Sequence, residues 1–282
     1  TGGTLTAVTN NNVSCFGYSD GQASATMVGG TTPFTYLWSN GETGTTATGF
    51  FAGTATVTLT DGVGCVNITT TPVTEPTLLN ASIIASTDVL CAGESSGTIN
   101  LTVIGGTTGY SYLWDDAAAS TSEDLSGLEA GSYTVIVTDA AGCTATDNVI
   151  ITEPSAITLT TIVLDPLCAS GSDGSVDLTV SGGTTGYTFN WSNGTSAEDL
   201  AGIGSGSFTV TVTDAALCTS TITAVLTEPA ALTLTPTSTT ANCGQSDGSV
   251  DVTATGGTTN YGYLWSDALA STTSSVAGLP AG

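Results

Sequence analysis

Four tryptophans divide the chain into nearly equal parts. Trp38, Trp114, Trp191 and Trp265 lie 76, 77 and 74 residues apart, and each closes an aromatic alternation of the form aromatic-x-aromatic-x-Trp. A Gly-Gly-Thr-Thr segment lies just upstream of every one. Self-similarity at a fixed period is typical of a chain assembled from copies of one supersecondary unit. The predicted repeats, called repeats 1 to 4 below, span 1–76, 77–154, 155–229 and 230–282.

Each copy has the pattern of about six short strands. The segment Gly131–Asp139 is rich in threonine and valine, and residues two apart on a strand share a face. The 36 glycines and the abundant threonine favour strands and tight turns over helices. The sequence therefore predicts an all-β fold, a tandem array of Ig-like antiparallel β-sandwiches.

The joints between the copies are short. Each full copy ends in Thr-Glu-Pro, at Pro76, Pro154 and Pro229, and proline ends a β-ladder and stiffens the chain that follows. Joints with so little slack predict an elongated rod. The fourth copy stops where the others begin their last two strands, so we expect repeat 4 to be incomplete and the natural chain to continue.

All the charged side chains of this chain are acidic. The chain carries 24 aspartates and glutamates and no lysine, arginine or histidine. Nucleic acids are bound mainly through cations that neutralise phosphates, so nucleic-acid binding is excluded. Without an imidazole base or a Schiff-base lysine most catalysis is excluded too, and we expect no enzyme. No apolar run approaches the 18 residues of a membrane span, so we expect no spanning segment.

Seven cysteines follow the repeat. Each copy has one before its first core strand, and each full copy has a second one 50 to 52 residues later. This parity predicts bridges within repeats, which would stabilise small cores in an oxidising, extracytoplasmic place. The alternatives are free buried thiols and a metal site, although the chain lacks the close-set Cys-x-x-Cys pairs that a metal site favours. The predicted pairs are Cys15–Cys65, Cys91–Cys143 and Cys168–Cys218.

The recurring aromatic residues are candidate core residues. Three rings that alternate along one strand point to one face, which favours packing between the sheets. The alternative is a platform on which sugar rings stack. The predicted core residues are Trp38, Trp114, Trp191, Trp265, Tyr133 and Phe208.

Two carboxylates recur in every full copy, a turn aspartate (Asp61, Asp139, Asp214) and the linker glutamate (Glu75, Glu153, Glu228). Aspartate in a turn usually accepts hydrogen bonds from nearby backbone. The alternative is Ca²⁺ held at the joints by hard oxygen ligands. We expect no cofactor other than such a structural Ca²⁺. The weak candidate cluster in repeat 2 is Asp115, Asp116, Glu123 and Asp124.

The combined pattern resembles the SprB repeat. It runs Cys, Ser-Asp-Gly, Gly-Gly-Thr-Thr, Tyr-x-Tyr-x-Trp-Ser-Asn-Gly, Gly-Ser-Tyr-Thr-Val-x-Val-Thr-Asp, Cys and Thr-Glu-Pro, and it covers essentially the whole chain. SprB repeats are found in very large surface adhesins of gliding Bacteroidetes. The resemblance implies export by type IX secretion and display on the outer surface, anchored at the outer membrane. The turn glycine is replaced by Leu217, and the strand aromatic by Ala55.

Three functions are compatible with these patterns. The leading prediction is a structural stalk or filament segment of a secreted cell-surface adhesin, like the gliding-motility adhesin. The second is a multivalent array that binds a glycan or surface polymer, and the third is a subunit of a polymeric extracellular filament. The expected partners are an external surface or polysaccharide, other repeats of the same long chain, and the gliding or secretion machinery.

Overall fold

The structure is a computed structural model that describes residues 3–281. The chain divides into two compact units, Thr1–Glu153 and Pro154–Gly282. The described residues form antiparallel strands and no helix, so none of them provides a helix that could cross a membrane. The all-β, tandem Ig-like fold predicted from the sequence is confirmed.

Repeat 1 is a sandwich of two three-stranded sheets, ordered β1-β2-β4 and β3-β5-β6. Its strands are β1 (Thr4–Asn11), β2 (Gly21–Val28), β3 (Thr35–Trp38), β4 (Thr46–Phe50), β5 (Gly53–Thr60) and β6 (Val66–Val73). β2 and β5 cross the whole sandwich, whereas β3 and β4 are half as long and together make one crossing. Trp38 pairs with Val57 of β5, and Phe50 pairs with Gly21 of β2, so β3 and β4 belong to different sheets.

Repeats 2 and 3 repeat this order. The sheets of repeat 2 are ordered β7-β8-β10 and β9-β11-β12, and those of repeat 3 are β13-β14-β16 and β15-β17-β18. The strands of repeat 2 are β7 (Asn80–Thr87), β8 (Gly97–Ile104), β9 (Ser111–Trp114), β10 (Leu125–Leu128), β11 (Gly131–Thr138) and β12 (Thr144–Ile151). The strands of repeat 3 are β13 (Thr158–Leu164), β14 (Gly174–Ser181), β15 (Thr188–Trp191), β16 (Leu200–Ile203), β17 (Gly206–Thr213) and β18 (Thr219–Leu226).

The described part of repeat 4 contains one sheet. It is ordered β19-β20-β21, with β19 at Thr233–Thr239, β20 at Gly248–Thr255 and β21 at Ser275–Leu279. No second sheet covers it among the residues described, since the counterparts of β5 and β6 are not among them.

The cores follow the alternation that the sequence predicts. In β11, Tyr133, Val135 and Val137 are buried, whereas Thr134 is half-buried and Ile136 is exposed. Trp114 of β9 lies between the sheets with 1% of its surface exposed, and its Nε1 donates to the carbonyl of Ser122 at 2.9 Å. The alternating residues therefore line the inside of the sandwich. Each full repeat has a separate hydrophobic core.

The predicted core aromatics differ in how deeply they lie. Trp38 and Trp191 are as buried as Trp114, and Tyr133 is buried with its hydroxyl donating to the carbonyl of Glu129 at 3.0 Å. Phe208 is half-buried against the core of repeat 3. Trp265 departs from the prediction, because it is half-buried and borders an open apolar groove of about 410 Å³ on the single sheet of repeat 4.

Candidate functional site

The loop that carries Cys15 is fixed to the C-terminal end of repeat 1. The amide of Val13 donates to the carbonyl of Thr74 at 2.9 Å, and the amide of Gly17 donates to Oε2 of Glu75 at 2.6 Å. Gly17 has φ +76°, the left-handed region that glycine enters without strain. The linker glutamate therefore holds the cysteine loop against the end of the last strand.

The other two linker glutamates make the same contact. Glu153 accepts from the amide of Gly93 at 2.6 Å, and Glu228 accepts from the amide of Ser170 at 2.8 Å. Hydrogen bonds from an amide to a carboxylate are stronger than those between neutral groups. The recurring glutamate thus has a structural partner in each full repeat, which the sequence alone did not identify.

The second cysteine position lies at the opposite, N-terminal end of a repeat. In repeat 2 the buried carboxylate of Asp139 organises this end. Its Oδ1 accepts from the amides of Cys143 and Ala141, each at 2.9 Å, and its Oδ2 accepts from the amide of Thr107 at 2.8 Å. One carboxylate therefore ties the Gly-Gly-Thr-Thr turn to the turn that carries Cys143.

These hydrogen bonds set the charge state of the turn aspartates. Burial acts to raise the pKa of Asp139, but the amides of Thr107, Cys143 and Ala141 together bring that pKa below its ordinary value of 3.8. The amide of Cys65 lowers the pKa of Asp61 in the same way, and the amide of Thr184 lowers the pKa of Asp214. The turn aspartates are therefore anionic at neutral pH and act as acceptors of backbone amides, as predicted for turns.

The two cysteine positions meet at the junction between repeats 1 and 2. Cys15 and Cys143 form a disulfide with a Cα–Cα distance of 5.7 Å, across 128 residues of sequence. Both are buried, at 6% and 9% exposure. They pack with repeat 2 residues that we call the socket: Leu79, Val103, Tyr110 and Ala145. Repeat 1 thus inserts its cysteine loop into an apolar socket on repeat 2.

The predicted cysteine pairing is wrong. Cys15 bonds Cys143, so neither Cys15–Cys65 nor Cys91–Cys143 forms, and Cys65 is exposed as a free thiol. Cys168 is also an exposed free thiol, so Cys168–Cys218 does not form either. The reason is geometric. The two positions of one repeat lie at opposite ends of strands of 8 residues, about 25 Å apart, beyond the reach of a disulfide.

The strand order accounts for this arrangement. Between Cys15 and Cys65 the chain crosses the sandwich three times, once in β2, once in β3 and β4 together, and once in β5. An odd number of crossings leaves the two ends on opposite sides. The odd count depends on β3 and β4 making one crossing together, which the structure shows and the sequence pattern does not.

The acidic cluster of repeat 2 does not converge on one point. Asp115 accepts from the amide of Thr134 at 2.7 Å, and Asp124 accepts from the amide of Leu101 at 3.0 Å. Asp116 accepts from both the amide and the hydroxyl of Ser120, and these hydrogen bonds lower its pKa. Burial, and then the charge of Glu123, raise the pKa of the Tyr112 hydroxyl. Within residues 3–281, no group of three or more cysteines and carboxylates is placed to hold a metal ion.

Comparison with known families identifies the chain. The sequence model of the SprB repeat matches it four times, at residues 7–43, 83–119, 160–196 and 235–270, which together make up just over half of the chain. The chain belongs to the SprB repeat family. It is a repeat segment of a cell-surface adhesin, and nothing in this family or in the described site indicates catalytic activity. None of the curated proteins matches the sequence.

Solved structures match the chain at low sequence identity and with low TM-scores. The eight N-terminal Ig domains of Down syndrome cell adhesion molecule are 13% identical with a TM-score of 0.37, and the match covers 92% of this chain and 41% of that one. Invasin, a bacterial integrin-binding protein, is 15% identical over 89% of this chain and 67% of its own, with a TM-score of 0.31. A tetra-tandem repeat from the extending region of a large adhesion protein is 14% identical over 99% and 91%, with a TM-score of 0.28.

Proposed function

We propose that this SprB repeat chain is a structural stalk segment of a secreted surface adhesin, whose work is to hold distance and bear load. The observation that carries the proposal is the junction of repeats 1 and 2, where the Cys15 loop is buried in the socket and bonded to Cys143. A flexible tether would have no use for a covalently closed joint. Such a joint suits a load-bearing stalk, because the bond limits how far the chain can be extended.

The wider setting is part of the same proposal. The repeat family supports display on the outer surface of a Bacteroidetes-like bacterium after type IX secretion, with anchoring at the outer membrane and a role in gliding motility. The partners would be an external surface or polysaccharide, other repeats of the same long chain, and the gliding or secretion machinery. The absence of cationic side chains supports a chain that repels its neighbours and so resists bundling.

Two other functions have weaker support. In a glycan-binding array the tryptophans would be exposed for stacking, but Trp38, Trp114 and Trp191 are at most 2% exposed. A subunit of a polymeric filament would need a surface that accepts a strand from another chain. The open apolar groove beside Trp265 is the observation in favour of that function.

Single-molecule pulling tests the stalk proposal. The whole chain is held through enzymatically attached terminal handles that avoid thiol chemistry, and it is stretched before and after reduction. Because the disulfide encloses 128 residues, reduction should lengthen the fully extended chain by at least about 420 Å, at about 3.3 Å per residue. Equal extended lengths would remove the covalent joint from the argument. A glycan array probed with the same chain serves as the complementary test, since a pure stalk should bind none of its members.

A further inference from the structure

Repeat 1 has an open counterpart of the socket that repeat 2 uses. A cavity of about 300 Å³ lies at its N-terminal end, lined by Gly3, Met27, Leu59, Cys65 and Asn67 among others. The strand pairing shows the equivalence: Thr4 pairs with Val28 in β1 and β2, as Asn80 pairs with Ile104 in β7 and β8.

Three of the four socket residues, and the socket cysteine, therefore have counterparts that line this cavity. Gly3 stands where the socket has Leu79, and Met27 stands where it has Val103. Cys65 and Asn67 follow their turn aspartate at the same spacing as Cys143 and Ala145. Glycine at the Leu79 position carries no side chain, and the Met27 side chain fills part of that space, since a Cβ on Gly3 would overlap Cε of Met27.

The backbone of Cys65 is held in place in the same way as that of Cys143. The amide of Cys65 donates to Oδ1 of Asp61 at 2.9 Å, the same bond that Cys143 makes to Asp139. The side-chain amide of Asn67 donates to the carbonyl of Gly3 at 3.3 Å and holds the rim of the cavity. Cys143 is buried under the Cys15 loop, whereas Cys65 is exposed and free.

We propose that the cavity beside Cys65 is a docking site for the cysteine loop of another SprB repeat, and that Cys65 forms a disulfide with the cysteine of that loop. The occupant is defined by its chemistry, a loop of the kind that carries Cys15, because the structure shows such a loop seated in the equivalent socket. The proposal rests on this seated loop and is independent of the stalk function.

The bond can form by thiol–disulfide exchange. The Cys65 thiolate attacks the sulfur of an incoming loop cysteine that is already joined to a small thiol. The new sulfur–sulfur bond forms as the old one breaks, and the small thiol leaves with the electron pair and takes up a proton. No net oxidation occurs in this step, because the incoming disulfide supplies the oxidised sulfur.

The test uses the intact chain and a peptide probe. The probe has the sequence of residues 12–18, Asn-Val-Ser-Cys-Phe-Gly-Tyr, with its cysteine activated as a 2-pyridyl disulfide. Release of 2-thiopyridone gives the rate of exchange. Digestion with pepsin and mass spectrometry give the site, since the chain has no lysine or arginine for trypsin.

The chain contains its own controls, because Cys168 and Cys243 are also exposed free thiols. We expect the probe to label Cys65 about tenfold faster than Cys168, which corresponds to about 1.4 kcal/mol of docking. A scrambled probe and 4,4′-dipyridyl disulfide should label the two sites at similar rates. Met27→Asp should abolish the preference while leaving the Cys15–Cys143 bond intact, because it places a charge where the loop's apolar side chains would pack.

Four results would overturn the proposal. Equal labelling of Cys65 and Cys168 by the probe would show that no docking occurs. If the scrambled probe showed the same preference for Cys65, the sequence of the loop would play no part. If Met27→Asp kept the preference for Cys65, the cavity would play no part. A preference shared by the small disulfide would show only that the Cys65 thiol is intrinsically reactive, or that the cavity takes small molecules.

Discussion

Cys15 and Cys143 lie in different repeats, yet their Cα atoms are only 5.7 Å apart and their sulfurs are bonded. The cysteine of one repeat's C-terminal loop thereby reaches the N-terminal turn of the next. Closure of a loop of this length lowers the entropy of the unfolded chain, and the chain-entropy account gives about 5 kcal/mol as an upper limit.

The bond should therefore stabilise repeats 1 and 2. We expect the double variant Cys15→Ser/Cys143→Ser to lower the free energy of unfolding there by about 2–5 kcal/mol. Hydrogen–deuterium exchange of the β2 and β5 amides would resolve this effect from the rest of the chain. Cys65→Ser is the matched control, since that thiol is exposed and free, and it should leave the exchange unchanged. Equal protection in the double variant and the control would contradict the expectation.

Asp139→Asn should weaken the turn that carries Cys143. An amide side chain keeps one acceptor oxygen, so it can satisfy either Thr107 or the pair Ala141 and Cys143, but not all three amides. A buried amide left without a partner costs about 1–3 kcal/mol. Urea unfolding at pH 7, followed by tryptophan fluorescence, measures this loss. Glu94→Gln, which removes one charge from an exposed side chain, is the control and should have almost no effect.

The same carboxylate predicts a pH dependence. Its pKa is lower in the folded chain than its ordinary value of 3.8, so its stabilisation is complete well above pH 3.8 and is lost as the pH falls through the folded pKa. Wild type and Asp139→Asn should therefore differ most near neutral pH, and their unfolding free energies should approach each other below pH 3.8. A difference that stays constant down to acid pH would show that the charge of Asp139 contributes nothing.

Gly106→Ala should be more harmful than Gly142→Ala. Both glycines have positive φ, +63° and +86°, so alanine at either position costs about 1–2 kcal/mol in backbone strain. A Cβ at Gly106 would also lie 2.6 Å from Oδ2 of Asp139, whereas a Cβ at Gly142 would meet no atom within 4 Å. Comparing the two unfolding midpoints in urea separates the contact from the strain. Equal midpoints would show that the carboxylate moves aside without cost.

Trp265 should be the tryptophan that solvent reaches. The other three are at most 2% exposed, while Trp265 is half-buried beside the open groove. We expect Trp265→Phe to remove the fraction of fluorescence that acrylamide quenches readily and to shift the remaining emission to shorter wavelength. Trp191→Phe should leave that fraction in place. Persistence of the quenchable fraction in Trp265→Phe would mean that another tryptophan is exposed.

The sequence predicts what depends on local periodicity. The alternation in Gly131–Asp139 predicts β11 and its buried face, because a pleated strand places Tyr133, Val135 and Val137 on one side wherever it packs. Burial of Trp265 could not be predicted in this way, since the same aromatic motif is enclosed only where a second sheet faces it.

The sequence pattern also could not predict which cysteines pair with each other. A separation of 50 residues within a repeat and one of 128 between repeats are both regular, so regularity cannot choose between them. The choice depends on which end of the sandwich each cysteine occupies, and that is a property of the topology. The linker glutamates show the same limit, because their partner amides lie 58 to 60 residues away in sequence.

The position of the bond also decides which strands feel tension. Force that enters repeat 1 through β1 reaches Cys15 and passes through the sulfurs directly into repeat 2. Strands β2 to β6 lie outside that route, so they are shielded while the bond is intact. The surface that these strands form would therefore stay folded under a pulling force that would otherwise unfold it.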